Sequence, residues 1–241
     1  MHPTTNGFSF NLFGFQTSIQ PFFWLVAILI TAIHLPPINN DMPIWLAKLF
    51  VGVIGVVLSI LVHELGHAFS FRHLFNTRCA IVLHGLGGLA IPLQSIRHSY
   101  GFNGAMARCF LSFSGPLAGF VLAAITLTLL LATLPAGEDD GLATVLLRYS
   151  LEWTMLISIF WGIFNLLPIY PMDGGHIARE VFQFFFPRQG VEYSLKFSMV
   201  FSIILAVTSL LHTPMWIFGA FIFGYFAYLN YQELTSGSLR R

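Results

Sequence analysis

Fourteen residues without a charged side chain, 49–62, run directly into His63-Glu64-Leu65-Gly66-His67, and the apolar character resumes over residues 68–71. A run of this kind leaves few folds open. Backbone N–H and C=O groups carried into hydrocarbon must be satisfied within the segment, so the run is a helix that enters a membrane. An ionisable side chain near the bilayer centre costs on the order of 3 kcal/mol, so three within one short stretch need a reason. Residues four apart on a helix share a face and stack one turn above each other. His63 and His67 can therefore bind one metal ion, and Glu64 beside them can hold and deprotonate a metal-bound water, which is the chemistry of hydrolysis. The plainer reading is that the two imidazoles hydrogen-bond between helices.

The rest of the chain extends the membrane reading. Of 241 residues, 56% are hydrophobic, 26 are Phe and only 9% are charged, against about 25% charged in soluble domains. The expected fold class is an all-α polytopic membrane protein with about six transmembrane helices and a small membrane-associated β-hairpin or sheet, forming one domain over residues 1–241. Apolar stretches place the spans near residues 18–35, 44–71, 104–134, 143–167, 195–211 and 215–231. Pro36-Pro37, Pro135 and Pro168 end three of them. Between the second and third spans, residues 79–83 and 89–92 flank His84-Gly85-Leu86-Gly87-Gly88. Two short apolar runs around a Gly-rich turn read as a β-hairpin; the alternative is an ordinary interfacial loop. Trp153, Trp161 and Trp216 read as lipid-facing and interfacial packing.

With the N-terminus inside, the inner segments hold Arg72, Arg78, Arg97, Arg108, Arg179, Arg188, Lys196, Arg240 and Arg241, and the outer ones only Lys48 and Arg148: nine of the 11 Lys and Arg against two. That bias sets the orientation, and the acidic Glu138-Asp139-Asp140 falls outside. The second span then runs inward. His63 lies 14 residues past Leu49, about 21 Å along the axis, in the cytoplasmic half of a core about 30 Å thick. The expected location is a prokaryotic plasma membrane, with both termini and the opening of the site on the cytoplasmic side. A net charge of +1 without basic clusters argues against nucleic acid as a partner. Cys79 and Cys109 make neither a disulfide framework nor a thiolate zinc site. The N-terminal segment lacks the pattern of a cleaved signal peptide and reads as retained.

Zinc catalysis takes three protein ligands and an open position for water. Asp173 is the candidate third ligand, in Asn165-Leu-Leu-Pro168-Ile-Tyr-Pro171-Met-Asp173-Gly174-Gly175-His176. The prolines break the helix and the glycines allow tight turns, so an unwound segment can turn the carboxylate into the bundle. Asp173 would equally suit the cap of a helix opening near Gly175. His176 as a fourth ligand would close the open position, which favours a helix-start role.

These two motifs, in this order and at this separation, resemble the site-2 protease family of intramembrane zinc metalloproteases. The resemblance takes in Ser114-Gly115-Pro116 and Gly87-Gly88, and covers roughly residues 55–180. It implies that His63, His67 and Asp173 bind one Zn2+ ion and that Glu64 is the general base. It also implies that Asn165 lines the site and polarises the scissile carbonyl or its oxyanion. The function implied is cleavage of transmembrane segments of single-span membrane proteins, the partners being those substrates and the lipid bilayer. The PDZ or CBS modules frequent in that family have no room here, so a core-only member is expected. Residues 79–83 are expected to offer a strand edge onto which an extended substrate adds. A zinc transporter or channel would favour ligands at several depths, and a non-catalytic scaffold would have no use for Glu64.

Overall fold

A computed structural model describes residues 7–37, 41–94, 102–133, 141–212 and 217–236. The elements run β1 (Phe8–Leu12), β2 (Phe15–Ile19), α1 (Pro21–His34), α2 (Met42–Phe75), β3 (Cys79–His84), β4 (Gly87–Pro92), α3 (Phe102–Ala132), α4 (Leu142–Asn165), α5 (Asp173–Phe185), α6 (Gly190–His212) and α7 (Ile217–Thr235). They fall into two compact units, residues 1–97 with 114–163 and residues 98–113 with 164–241.

Among the described residues, four helices are long and apolar enough to cross a membrane: Met42–Phe75, Asn103–Ala132, Leu142–Asn165 and Gly190–Leu211. They match the second to fifth expected spans. The first and last expected spans are helical but stand outside that set. At 14 residues, α1 is about 21 Å long, shorter than a hydrocarbon core of about 30 Å. The first helix also begins later than expected, at Pro21. Ser18 and Ile19 belong to β2, because they pair with Val82 and Leu83 of β3; Pro21 then opens the helix at its first turn, where a missing N–H costs nothing. Pro135, the acidic cluster, Arg97, Trp216, Arg240 and Arg241 lie outside the described residues. On α2, Phe50, Ile54 and Leu58 face outward, as a lipid-facing surface requires.

In the first unit, α2 turns small and polar residues inward. A Cβ on Gly55 would lie 2.7 Å from Thr154 Oγ1, so glycine is what lets α4 approach. Ser59 Oγ donates to Gly55 O at 2.8 Å and accepts from Ser158 Oγ at 3.0 Å. Interhelical bonds of this kind contribute about 0.6 kcal/mol each. Trp153 is buried and stacks on the His34 ring with centroids 4.0 Å apart, so it packs between helices and does not face lipid.

The sheet order is β1-β2-β3-β4, with β1/β2 and β3/β4 antiparallel and β2/β3 parallel. The expected hairpin is present, and the loop alternative falls away. The expected free edge at residues 79–83 is not: β3 is bonded on both sides, by β2 as well as β4. The sheet's edges are β1 and β4. Phe13 (φ 51°) and Gly14 (φ 85°) make the β1–β2 turn, with both central residues left-handed, as two-residue hairpins favour. Arg72 of α2 holds this turn. Its Nη1 donates to Phe13 O at 3.0 Å, and its guanidinium lies 4.6 Å and 4.8 Å from the Phe15 and Phe69 ring centroids, a cation–π arrangement.

In the second unit, α5 starts against the segment that precedes it. A Cβ on Gly174 would overlap Leu166 O, and one on Gly175 would overlap the Tyr170 nitrogen, so only glycine fits at both positions. Arg108 forks onto Glu180 of α5, Nε to Oε1 and Nη2 to Oε2, each at 2.7 Å. Two parallel charge-assisted bonds fix orientation as well as distance.

Candidate metal centre

The helix α2 continues through the histidine motif to Asn76, whose left-handed backbone (φ 48°) ends it, as asparagine tolerates. His63, Glu64 and His67 are all buried, at 2%, 4% and 8% exposure. The two imidazoles meet edge to face with centroids 5.0 Å apart, and their Nε2 atoms are 3.3 Å apart. Two imidazole nitrogens on one tetrahedral zinc, each about 2.0–2.1 Å from it, would lie about 3.3 Å from each other. The spacing suits two ligands of one such ion, and equally an Nε2–H···Nε2 hydrogen bond between the rings.

Gly115 of α3 leaves room for an ion. A Cβ there would overlap His67 Nε2 and lie 2.8 Å from His63 Nε2. The bare backbone keeps clear the space onto which both donor nitrogens open, so the residues present fit a metal ion. One turn along, Gly66 of α2 meets Ser114 O so closely that a Cβ would overlap it, which seats α3 against the motif.

The sheet walls the other side. A Cβ on Gly88 of β4 would lie 2.5 Å from Glu64 Oε1, so the strand backbone rests on the carboxylate. Gly87 (φ 128°) sits against the Trp161 indole, and the Trp161 ring is 6.5 Å from that of His63. Trp161 therefore lies beside the histidines and is not one of the lipid-facing aromatics.

Cys79, His73, His84 and His176 have neighbours of their own. Burial pushes the Cys79 thiol up to about 11, with Arg72 opposing, and its Sγ lies 3.9 Å from Ala68 O. Burial lowers the His84 imidazole from its ordinary value, and Nδ1 accepts the Leu86 N–H at 3.2 Å, closing the β3–β4 turn. His73 is exposed and stacks on Phe69. The His176 ring meets Tyr170 edge-on at 5.1 Å.

Asn165 and Asp173 belong to the second unit, where they end α4 and open α5. The N-cap of α5 is Met172, and Asp173 is the first helical residue. The capping position is thus occupied by another residue. The carboxylate stands at the positive end of the helix dipole, where negative charge is favoured. The structure brings Gly115 and Trp161 against the histidines, a placement that periodicity along the chain does not reveal.

A family model described as peptidase family M50 matches residues 136–209. The chain is 28% identical over 156 residues to a zinc metalloprotease of Methanocaldococcus jannaschii, a match covering 65% of this chain and 40% of that protein. It is 29% identical over 130 residues to Rip3 of Mycobacterium tuberculosis, named as a candidate zinc metalloprotease, covering 53% of this chain and 30% of that one. The matches thus span less than half the length of these curated relatives. Among solved structures, the site-2 protease from Methanocaldococcus jannaschii aligns over 95% of both chains with a TM-score of 0.56 and 22% identity, a likeness of fold. Family model, curated relatives and fold all point the same way: the chain is similar to the site-2 proteases of peptidase family M50.

Proposed function

We propose that this protein is a zinc-dependent intramembrane endopeptidase that cleaves transmembrane segments of single-span membrane proteins. The observation that carries the reading is the pair of Nε2 atoms 3.3 Å apart, facing the space that Gly115 leaves, with Glu64 alongside. His63, His67 and Asp173 hold one zinc ion in this reading. Each offers one ligand atom, an imidazole nitrogen or a carboxylate oxygen, which is a donor set zinc prefers and one that leaves a position open. Bound zinc would supply Lewis acidity, lowering the pKa of a coordinated water toward about 7 and polarising a carbonyl.

The chain's own groups do the rest. Glu64, its carboxylate backed by β4, takes a proton from water and delivers it to the leaving amine. Asn165 donates its carboxamide N–H to the carbonyl oxygen as charge develops there. A helical substrate hides its carbonyls in its own hydrogen bonds, so it must be drawn out before attack. The free edge of β4 provides the backbone partners for that, in place of the buried β3. In this reading α1 and α7 are the first and last of six crossings of a prokaryotic plasma membrane, α1 fitting through local thinning of the bilayer, and the positive-inside bias supports termini and a site opening on the cytoplasmic side. Glu64 favours hydrolysis over zinc transport, which has no need of a base there.

The test is purified protein in sealed vesicles with a single-span peptide. Cleavage within the apolar segment is expected, inhibited by phenanthroline and restored by zinc. A membrane-impermeant chelator should inhibit only from the cytoplasmic face, and a substrate N-methylated at alternate backbone positions should resist. Intact peptide, with zinc crossing the membrane instead, would replace this reading with transport.

A further inference from the structure

Tyr170 precedes Asp173 by three residues, in the segment that joins α4 to α5. Pro168 and Pro171 carry no N–H, so the segment cannot close a helical ladder of its own. Its local bonds include Ile169 N–H to Leu167 O at 2.7 Å and Met172 N–H to Ile169 O at 2.8 Å. The backbone groups of Tyr170 are satisfied from two other helices. Its N–H donates to Ser198 Oγ of α6 at 2.8 Å. Its carbonyl accepts from Asn230 Nδ2 of α7 at 2.7 Å.

Both side chains are buried, Ser198 at 1% and Asn230 at 0% exposure. Asn230 gives its other amide hydrogen to Phe226 O at 2.7 Å. Its Oδ1 is buried with no hydrogen-bond partner among the described residues. An amide with an empty acceptor is costly in an apolar helix, where leucine would pack at less cost. What the asparagine gains is a fixed donor on Tyr170. The Tyr170 side chain is held by α5 itself: the Arg179 guanidinium lies 4.6 Å from its ring centroid, the His176 ring 5.1 Å away. Gly175 rests directly on the Ile169–Tyr170 backbone. One residue thus ties α6 and α7 to the first turns of α5.

We propose that Ser198 and Asn230 are positioning residues for Asp173: they grip both backbone groups of Tyr170 and so set where α5 begins and where its first carboxylate stands. The inference rests on Asp173 being a zinc ligand. It gives α6 and α7, which carry no reacting group, a part in the metal centre.

The test is the zinc dissociation constant of the purified full chain by chelator competition, with the melting temperature of the metal-free protein beside it. Ser198→Ala and Asn230→Leu should each weaken zinc about 10–100-fold, the usual effect of losing an outer hydrogen-bond partner of a metal site. Ser198→Thr keeps the hydroxyl and should stay close to wild type. Unchanged zinc affinity in Ser198→Ala, whatever its melting temperature, would overturn the proposal and leave a purely structural role. If Asn230→Leu does not fold, the Ser198 pair still decides. Wild-type affinity in Asp173→Ala would instead overturn the ligand reading itself, and the positioning role with it.

Discussion

Replacing Glu64 with glutamine should slow cleavage of a transmembrane peptide by about 10²–10⁴-fold, the usual range for a lost general base, while zinc content stays at the wild-type level. Glutamine has the same shape, so the Gly88 backbone that rests on this side chain loses no contact. It cannot take up a proton from water. In the proposed centre zinc would be held by His63 and His67, one turn apart on the same face, while the Glu64 side chain rests against the Gly88 backbone. Single-turnover cleavage and metal content, measured on one preparation, separate the two effects. An active variant would assign proton transfer to another group. A variant that lost its zinc would make Glu64 a ligand.

Gly115→Ala should weaken zinc binding by at least about tenfold, the lower end of what disturbing the surroundings of a metal site costs. The added Cβ would overlap His67 Nε2 and crowd His63 Nε2, the two atoms from which the ion would be held. Gly115 lies inside α3, directly before Pro116, where a Cβ clashes with the proline ring in the helical conformation. The metal-free variant should therefore melt below wild type, and the zinc affinity is read beside that loss. Chelator competition and thermal unfolding of the same samples give both numbers. Wild-type zinc affinity would show that the ion does not sit in front of these nitrogens.

The parts of this protein legible in its sequence are those whose partners are close in the chain. The His63–His67 face follows from helical periodicity, and the β3–β4 hairpin from two apolar runs around His84-Gly85-Leu86-Gly87-Gly88. The strand β2 was not legible, because its partner β3 lies far along the chain and its own turn is the unusual pair Phe13-Gly14. Missing β2 is what made β3 look like an edge and pushed the first span back to Ser18. Ser114-Gly115-Pro116 stood out as a motif, yet its purpose is an absence, the missing Cβ opposite two imidazoles, which shows only once α3 lies against α2. Asn230 was one polar residue in an apolar stretch; its bond to Tyr170 spans 60 positions. Length alone separated α1 from the membrane-crossing set, since its composition matches that of its neighbours.

Zinc per chain in pure, tag-free protein, measured elementally for wild type, His67→Ala and Asp173→Ala, tests the three-ligand centre most directly. Wild type should hold close to one ion and each variant close to none. Full zinc in both variants, or none in wild type after reconstitution, would contradict it.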